Sequence, residues 1–324
     1  ADIYNNLLAD SGFNKKICDI FPKIMFAGEK AGVLSESGAK YLDPTGRLSG
    51  KIIFAPPEGD AGTGMTATNS ISVNTGNISA GTSVFAMAVL EKSLAKSYPE
   101  IDIVTTPDGE AVAMVHCNNC SGEIDAWVNL IADTFVKMGV TPDINKLYEA
   151  FFSAATSGAA DGLMSYGFLS SEPIAGISDG IEMIIKSPQC SLNLSNLSKA
   201  VLFSAMCGLK IGMDILADEG IDLKKIYGHG GYFKSGGFGA AVAANAFGVP
   251  VITGVSAGEG GAYGASLLAA YVLNNDVALP EFLSERVFVN KNETVFNPTA
   301  AGIKEFDDYY GRFIAGLHII RENN

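Results

Sequence analysis

The order of apolar and polar positions divides the chain into a β-rich stretch followed by helices that alternate with strands. Apolar residues crowd positions 78–90, recur at 101–105 and return at 111–116, and a Pro-Asp-Gly turn at 107–109 precedes the last run. Short apolar runs bounded by turn residues are typical of β-strands. The pattern predicts a meander of three consecutive antiparallel strands.

Helical periodicity follows the meander. Apolar residues recur at spacings of three and four through 124–138, 144–155 and 194–216. Such spacing places apolar side chains on one face of a helix. A short strand is predicted between these helices at 163–169, and the apolar run at 221–226 predicts a further strand.

Glycines dominate the next stretch, 227–270. Those within 228–231 end the strand, and helices of small residues are predicted over 239–247 and from about residue 262. Aromatic and apolar residues at helical spacing predict a closing helix within 297–324. A meander followed by alternating helices and strands predicts an α/β fold, with helices packed on a mixed sheet.

The first 50 residues read as helix and loop, and they are too few to form a core of their own. A short strand is predicted at 51–54, where two prolines stop it. The strand delivers the sequence Glu-Gly-Asp-Ala-Gly-Thr-Gly, residues 58–64, at its carboxyl end. The chain starts with Ala1 rather than methionine, which leads us to expect a processed or cut piece of a longer protein.

Composition narrows the class of protein. The chain has 324 residues, is 48% hydrophobic and carries a net charge of −13, with a mean hydropathy of +0.23. Basic residues are not clustered, which argues against a nucleic-acid or anionic-membrane partner. No continuous apolar run reaches membrane-spanning length, and five cysteines without a secretion signal favour reduced thiols. We therefore expect a soluble cytoplasmic protein.

Asp60 is the first candidate for chemistry. It lies between Gly59 and the Ala61-Gly62 pair, an arrangement that leaves its carboxylate exposed. A carboxylate placed on a substrate hydroxyl can act as a general base. The alternative is an aspartate in an ordinary turn or helix N-cap.

Two further segments are candidates for ligand contacts. Gly81, Thr82 and Ser83 form a predicted hairpin turn. Its N–H groups and hydroxyls suit the terminal phosphates of a nucleotide. The alternative is a plain hairpin turn. Glu259 precedes the second small-residue helix, either as an acid at its N-terminus or as the lining of a hinge.

The glycines at 228–231 suggest an anion site, since a strand end followed by a helix start offers free N–H groups. Two familiar phosphate motifs fail here, because Phe233 precedes the Lys-Ser pair and also occupies the third small position of a dinucleotide fingerprint. His229 is interpreted as structural or as a contact to an adenine edge. Cys117 and Cys120 invite a zinc interpretation, but buried thiols at a strand end are the simpler reading.

Together these segments resemble the FGGY family of carbohydrate kinases, within the actin-like, ribonuclease-H-like ATPase superfamily. The resemblance rests on five motifs in family order. They are Gly59-Asp60-Ala61, Ser79–Ser83, Tyr166–Pro173, Gly230-Gly231 with Lys234-Ser235, and Glu259–Ala270. Gly167 and Ser171 depart from the family pattern, and no arginine follows Glu172.

The resemblance implies an actin-like domain with helices on both faces of a mixed sheet. It also implies that residues 1–58 end a first, sugar-binding domain, while 59–324 form a second, nucleotide-binding domain. The implied reaction transfers the γ-phosphate of ATP, with Mg²⁺, to a pentulose-type sugar such as xylulose or ribulose. The partners expected are sugar and ATP, with a homodimer left open.

Site roles follow from the same resemblance. Asp60 is expected to accept the hydroxyl proton, Thr82 and the neighbouring N–H groups to hold the phosphates, and Gly230, Gly231 and Ser235 to bound the adenosine. The full set of residues expected to contact the nucleotide is Gly81, Thr82, Ser83, Gly230, Gly231, Ser235 and Glu259. We expect the chain to be inactive alone, because much of the sugar site belongs to the first domain; a non-catalytic ATP-binding module is the alternative.

Overall fold

In the computed structural model, the described residues are 2–12, 15–159, 162–234, 236–254, 260–289 and 292–322. The α-helices are α1 Asp2–Asp10, α2 Glu36–Leu42, α3 Asp60–Thr68, α4 Gly122–Lys137, α5 Ile144–Ala154, α6 Leu194–Asp218, α7 Phe238–Phe247, α8 Gly260–Tyr271, α9 Leu279–Phe282 and α10 Ala300–Glu322. The strands are β1 Gly32–Val33, β2 Ile53–Phe54, β3 Thr75–Ala80, β4 Val84–Val89, β5 Asp102–Thr105, β6 Ala111–Cys117, β7 Leu163–Phe168, β8 Ile181–Lys186, β9 Lys225–His229, β10 Val251–Gly254 and β11 Glu293–Phe296.

A seven-stranded mixed sheet forms the centre, in the order β11-β10-β9-β3-β4-β6-β5. Strands β3, β9 and β10 run parallel to one another, whereas β3 through β6 pair antiparallel, as β11 does with β10. The mixed sheet predicted from the sequence is confirmed. The antiparallel stretch from β3 to β6 has four strands rather than three, because the turn at 81–83 splits the apolar run. The strands do not all pair in chain order, since β4 pairs with β6 and β5 lies at the edge of the sheet.

Alternation along β4 sends side chains to the two faces of the sheet. Met87 and Val89 face α3 and α8, where they pack with Met65 and Leu267. Ala86 and its even-numbered neighbours face the larger core. That core includes buried side chains of α4, α6, α7 and α10. Helices therefore cover both faces, and each face has its own apolar cluster.

The predicted helix at 194–216 is α6, whose first turn is capped by the side chain of Asn193. By length and composition α6 could cross a membrane, with a mean hydropathy of 1.7 over its most apolar window. In the fold, 56% of that window is buried inside the protein. The apolar character of α6 is accounted for by its central position in the core.

Several predicted boundaries were wrong for local reasons. The strand before the glycines was predicted at 221–226, but it is β9, Lys225–His229. Ile221 and Leu223 pack into the core from a loop, and strand pairing begins with Lys225 opposite Thr75. Strands β8, β10 and β11 were missed. The latter two have four residues each, too few for a periodic signal.

Candidate functional site

The hairpin turn at 81–83 and the glycine loop at 230–231 leave the sheet side by side. Ser79 pairs with His229 in the parallel register of β3 and β9, one residue before the two segments diverge from the sheet. Gly230 has a φ of +99°, and a Cβ placed on it would lie 2.7 Å from the carbonyl carbon of Ala80. Only glycine fits this position. The structure thus brings the predicted segments at 81–83 and 230–231 together.

The turn of Gly81, Thr82 and Ser83 is braced from beneath. The Gly81 N–H donates to the Ser83 carbonyl at 2.9 Å, and the Cys120 N–H donates to the Thr82 carbonyl at 2.9 Å. Ser121 N–H donates to the Gly81 carbonyl at 3.0 Å. Among the described residues, the hydroxyls of Thr82 and Ser83 have no hydrogen-bond partner, so both remain available to phosphate oxygens.

A buried carboxylate holds the bracing loop in place. Glu172, which is 1% exposed, accepts hydrogen bonds at 3.0 Å from the backbone N–H and the side-chain amide of Asn119. Asn118 donates to the Ser171 carbonyl at 2.8 Å. Burial raises the pKa of Glu172, and the bonds from Asn119 oppose that rise. The segment of 166–173, with its departures from the family pattern, therefore supports the loop beneath the turn.

Asp60 is the first residue of α3 and is exposed. Its Oδ1 accepts a hydrogen bond from the Ala61 N–H at 2.9 Å. The neighbouring Glu58 accepts from the Gly59 N–H at 2.8 Å and lies against Gly62, and partial burial raises the Glu58 pKa. Two carboxyl groups therefore flank the start of one helix.

The C-terminal end of α3 is fixed to strand β3. Residues 69–74 connect the two elements, and the Asn77 amide donates to Thr68 Oγ1 at 2.8 Å. The middle of α3 meets the start of α8, where a Cβ built on Gly260 would lie 3.9 Å from the Gly64 Cα. Asp60 is thus the first residue of a helix tied to β3, the strand that leads into the turn at 81–83.

The contact between α3 and α8 is made backbone to backbone. A Cβ on Gly264 would overlap the Thr63 carbonyl oxygen and lie 2.6 Å from the carbonyl carbon. Such an approach is possible only where a residue has no side chain. Glu259, predicted to contact the nucleotide, lies outside the described residues, and so does Ser235.

Two cavities lie along the segment 228–238. One of about 250 Å³ opens between the ends of β9, β10 and β11; it is lined by Gly228, Gly230, Phe233, Lys234, Thr253, Gly254, Asn292 and Thr294. The other, of about 420 Å³, lies between α5 and the start of α7; it is lined by Lys146, Glu149, Ala150, Ser153, Gly236 and Phe238. Sequence reasoning missed most of these lining residues, because they come from separate elements with no shared motif.

The cysteines give no metal centre within the described residues, which contain no group of three or more His, Cys, Asp or Glu placed to hold a metal ion. Cys117 and Cys120 are buried, and burial raises the pKa of both thiols. A nucleotide bound with Mg²⁺ requires fewer protein ligands than such a metal centre, since Mg²⁺ usually binds through phosphates, waters and one or two carboxylates. The carboxylate of Glu58 fits that requirement and leaves Asp60 for its predicted role as the base.

Comparison with known proteins places these features in a family. The sequence model of the FGGY family of carbohydrate kinases, C-terminal domain, matches residues 76–273. A curated relative, the xylulose kinase of Haemophilus influenzae, is 23% identical over 300 residues, which cover 92% of this chain and 57% of the relative.

Solved structures share the fold at low sequence identity. A ligand-bound xylulose kinase from Lactobacillus acidophilus has a TM-score of 0.72 and 19% identity, covering 98% of this chain and 60% of the other. A gluconate kinase from the same organism has a TM-score of 0.75 and 18% identity, with coverages of 98% and 61%. A Plasmodium falciparum glycerol kinase with ADP has a TM-score of 0.69 and 15% identity, with coverages of 94% and 59%. The chain spans about three fifths of the length of these relatives.

Proposed function

The chain belongs to the FGGY family of carbohydrate kinases, and from that premise we propose that it is the nucleotide-binding part of an ATP-dependent kinase acting on a pentulose-type sugar. The observation that carries the proposal is the meeting of the turn at 81–83 and the glycine loop at 230–231 at one edge of the sheet. The helix that begins at Asp60 is tied to β3, the strand that leads into this turn. The xylulose kinase relative supports the choice of sugar class.

In this proposal each segment has a role in phosphoryl transfer. Thr82 and Ser83 donate their hydroxyls to the terminal phosphates, while Gly230 and Gly231 let the nucleotide approach the backbone. The exposed carboxylate of Asp60 orients the sugar hydroxyl and accepts its proton. Bound Mg²⁺ neutralises phosphate charge during such reactions. Ser235 and Glu259 remain proposed nucleotide contacts.

The proposal also assigns different roles to two domains. We assign residues 1–58 to the end of the sugar-binding domain and its connection, and residues 59–324 to the nucleotide-binding domain. Phosphoryl transfer depends mainly on positioning, so half of a cleft cannot align the sugar with ATP. The chain alone should bind nucleotide without transferring phosphate at a useful rate. We also propose that the kinase is cytoplasmic, and we leave open whether it forms a homodimer.

The test compares Asp60→Asn with the exposed control Asp307→Asn. We expect the 324-residue chain to bind ADP by isothermal titration calorimetry, and Asp60→Asn to change that affinity by no more than about twofold. In a protein carrying both domains, Asp60→Asn should lower transfer to xylulose or ribulose by about 10²-fold or more. The Asp307→Asn control should leave it unchanged.

Three results would contradict parts of the proposal. Full transfer by Asp60→Asn would remove the general base from its assigned position. Sugar-dependent turnover by the 324-residue chain alone would overturn the claim that it is inactive. ADP binding without any transfer by the two-domain protein would favour a non-catalytic ATP-binding module.

A further inference from the structure

A row of polar side chains lies beneath the proposed phosphate site, between β9, β3 and α3. His229 Nε2 lies 3.1 Å from the Oδ1 of Asn77, a residue with no exposed surface. The Asn77 amide nitrogen lies 2.8 Å from Thr68 Oγ1, which lies 2.8 Å from the hydroxyl of Ser70. An asparagine in the middle of a buried strand needs such partners.

The directions of these hydrogen bonds fix which nitrogen of His229 carries a hydrogen. Thr68 Oγ1 lies 2.9 Å from the Gly64 carbonyl, which can only accept, so the Thr68 hydroxyl donates to it. Thr68 therefore accepts from the Asn77 amide, and the Asn77 oxygen faces His229 as an acceptor. His229 must donate from Nε2.

The other ring nitrogen is then an acceptor. Burial lowers the pKa of His229 to about 4, so the imidazole is neutral near pH 7 and Nδ1 keeps its lone pair. Within the described part of the chain, Nδ1 has no hydrogen-bond partner. In this part of the chain, the buried side-chain atoms without a hydrogen-bond partner belong to Asn69, Glu172 and Ser198, so Nδ1 of His229 is not a buried atom of this kind. The Nδ1 atom is therefore open to solvent.

The position of this acceptor limits what it can bind. His229 pairs with Ser79 at the foot of the turn at 81–83 and directly precedes Gly230. Phosphate oxygens are themselves acceptors, so a neutral Nδ1 cannot hold them directly. A donor is required, and O–H groups near a nucleotide's phosphates belong to the waters of hydrated Mg²⁺ or to hydroxyls of the substrates.

We propose that His229 is a ligand-binding residue whose Nδ1 accepts a hydrogen bond from an O–H group beside the phosphates. This inference rests on the proposed function, since it presumes a nucleotide at the turn. The row through Asn77 and Thr68 holds the imidazole in the one tautomer that can do this. It also links the nucleotide site to the helix that carries Asp60.

Imidazole ¹⁵N NMR of the 324-residue chain tests the proposal directly. The chain has three histidines, so His116→Gln and His318→Gln assign the signals, and both residues are exposed. We expect the free chain to show His229 protonated at Nε2. Bound ligand should then move the Nδ1 resonance of His229, leaving the other two histidines in place.

Three titrations separate the sources of the O–H group, with calorimetry run in parallel. A shift with ADP and Mg²⁺ but not with ADP and EDTA identifies a metal-bound water. A shift in both identifies a nucleotide hydroxyl if inosine diphosphate, which lacks the adenine amino group, gives it too; a shift lost with inosine diphosphate places the adenine edge at Nδ1 and overturns an O–H donor. A shift only after adding xylulose, measured in the protein carrying both domains, identifies a sugar hydroxyl. Calorimetric binding of ADP with an unmoved Nδ1 in all three overturns the inference, as does an Nδ1–H tautomer. No calorimetric binding of ADP would instead overturn the proposed function.

Two substitutions at His229 provide a second readout. Asparagine places its amide oxygen near the position of Nδ1, whereas glutamine reaches the position of Nε2 and leaves Nδ1 without a replacement. His229→Asn should bind Mg²⁺-ADP within about twofold of wild type, and His229→Gln should bind about three- to tenfold more weakly. Equal affinities for the two variants would contradict a role for Nδ1.

Helix α3 offers a matched pair for the supporting row. Thr68→Val removes the hydroxyl that orients Asn77, so we expect the His229 signals to show both tautomers. Thr66 makes the same kind of hydroxyl bond, to the Gly62 carbonyl at 2.8 Å, but does not contact Asn77. Thr66→Val should keep the single Nε2–H tautomer. A single tautomer in Thr68→Val would show that the row does not fix the ring.

Discussion

Replacing Gly264 by alanine should separate α3 from α8 and so disturb the helix that carries Asp60. A Cβ at this position overlaps the Thr63 carbonyl oxygen and lies 2.6 Å from the carbonyl carbon and 2.9 Å from the Thr63 Cα. Ordinary carbon contacts need about 3.5 Å, so the two backbones must move apart by about 1 Å. No flexible side chain can move instead.

The magnitude follows from two opposing effects. Alanine is favoured over glycine inside a helix by about 1 kcal/mol. Overpacking usually costs about 1–3 kcal/mol, and more where only backbone can yield. We therefore expect Gly264→Ala to lower the free energy of unfolding by about 2 kcal/mol. With a denaturant slope of about 2 kcal/mol/M, the urea midpoint falls by about 1 M.

Gly311 on α10 supplies the control. It is exposed, and a Cβ there would meet nothing within 4 Å. Gly311→Ala should therefore raise stability by up to about 1 kcal/mol through helix propensity alone. Urea unfolding followed by far-UV circular dichroism compares the variants. Equal midpoints for Gly264→Ala and Gly311→Ala would refute the close packing of α3 on α8.

Two further predictions concern the turn at 81–83 and a buried acid. Thr82→Val should weaken ADP binding by about tenfold or more, because hydrogen bonds to charged groups are worth about 1.5–3 kcal/mol. Thr134→Val on α4 is the control, and calorimetry should show no loss of ADP affinity for it. Burial raises the pKa of Glu123 to about 7, so the folded state holds its proton more tightly than the unfolded chain. Stability from this group is therefore lost as pH rises from about 4.5 through 7, by at most about 3 kcal/mol. Urea unfolding at pH 5 and pH 8 should show a smaller loss in Glu123→Gln, while the exposed control Glu281→Gln should lose as much as wild type; an unchanged loss in Glu123→Gln would contradict the assignment.

The sequence was most informative where one local signal had one structural meaning. The long apolar faces at 124–138 and 194–216 predicted α4 and α6 within a few residues, because period and length together exclude a strand. The turn at 81–83 was visible from its residues alone. Short strands such as β10 gave no such signal, since their pairing partners decide whether four residues form a strand.

Parts of the site depended on contacts that no local pattern encodes. The bonds from Asn119 to Glu172 join residues more than fifty positions apart, and His229 meets Asn77 across 152 positions. Asn77 is fully buried in β3 and so requires a hydrogen-bond partner, but the polar residues around it in that strand give no sign of its burial. Which residue that partner is depends on the register of β3 with β9.

Helix α3 is held at two points, one on the central sheet and one on α8, and this bears on how the proposed kinase would close. Thr68 is tied to Asn77 on β3, and Thr63 packs against Gly264 on α8. A helix held at two points moves with the elements that hold it, so Asp60 should keep its position relative to the turn at 81–83. Bringing the sugar to ATP would then require movement of the other domain, with the prolines at 56 and 57 marking the connection. The general base would thus be positioned by the nucleotide-binding domain, before any sugar arrives.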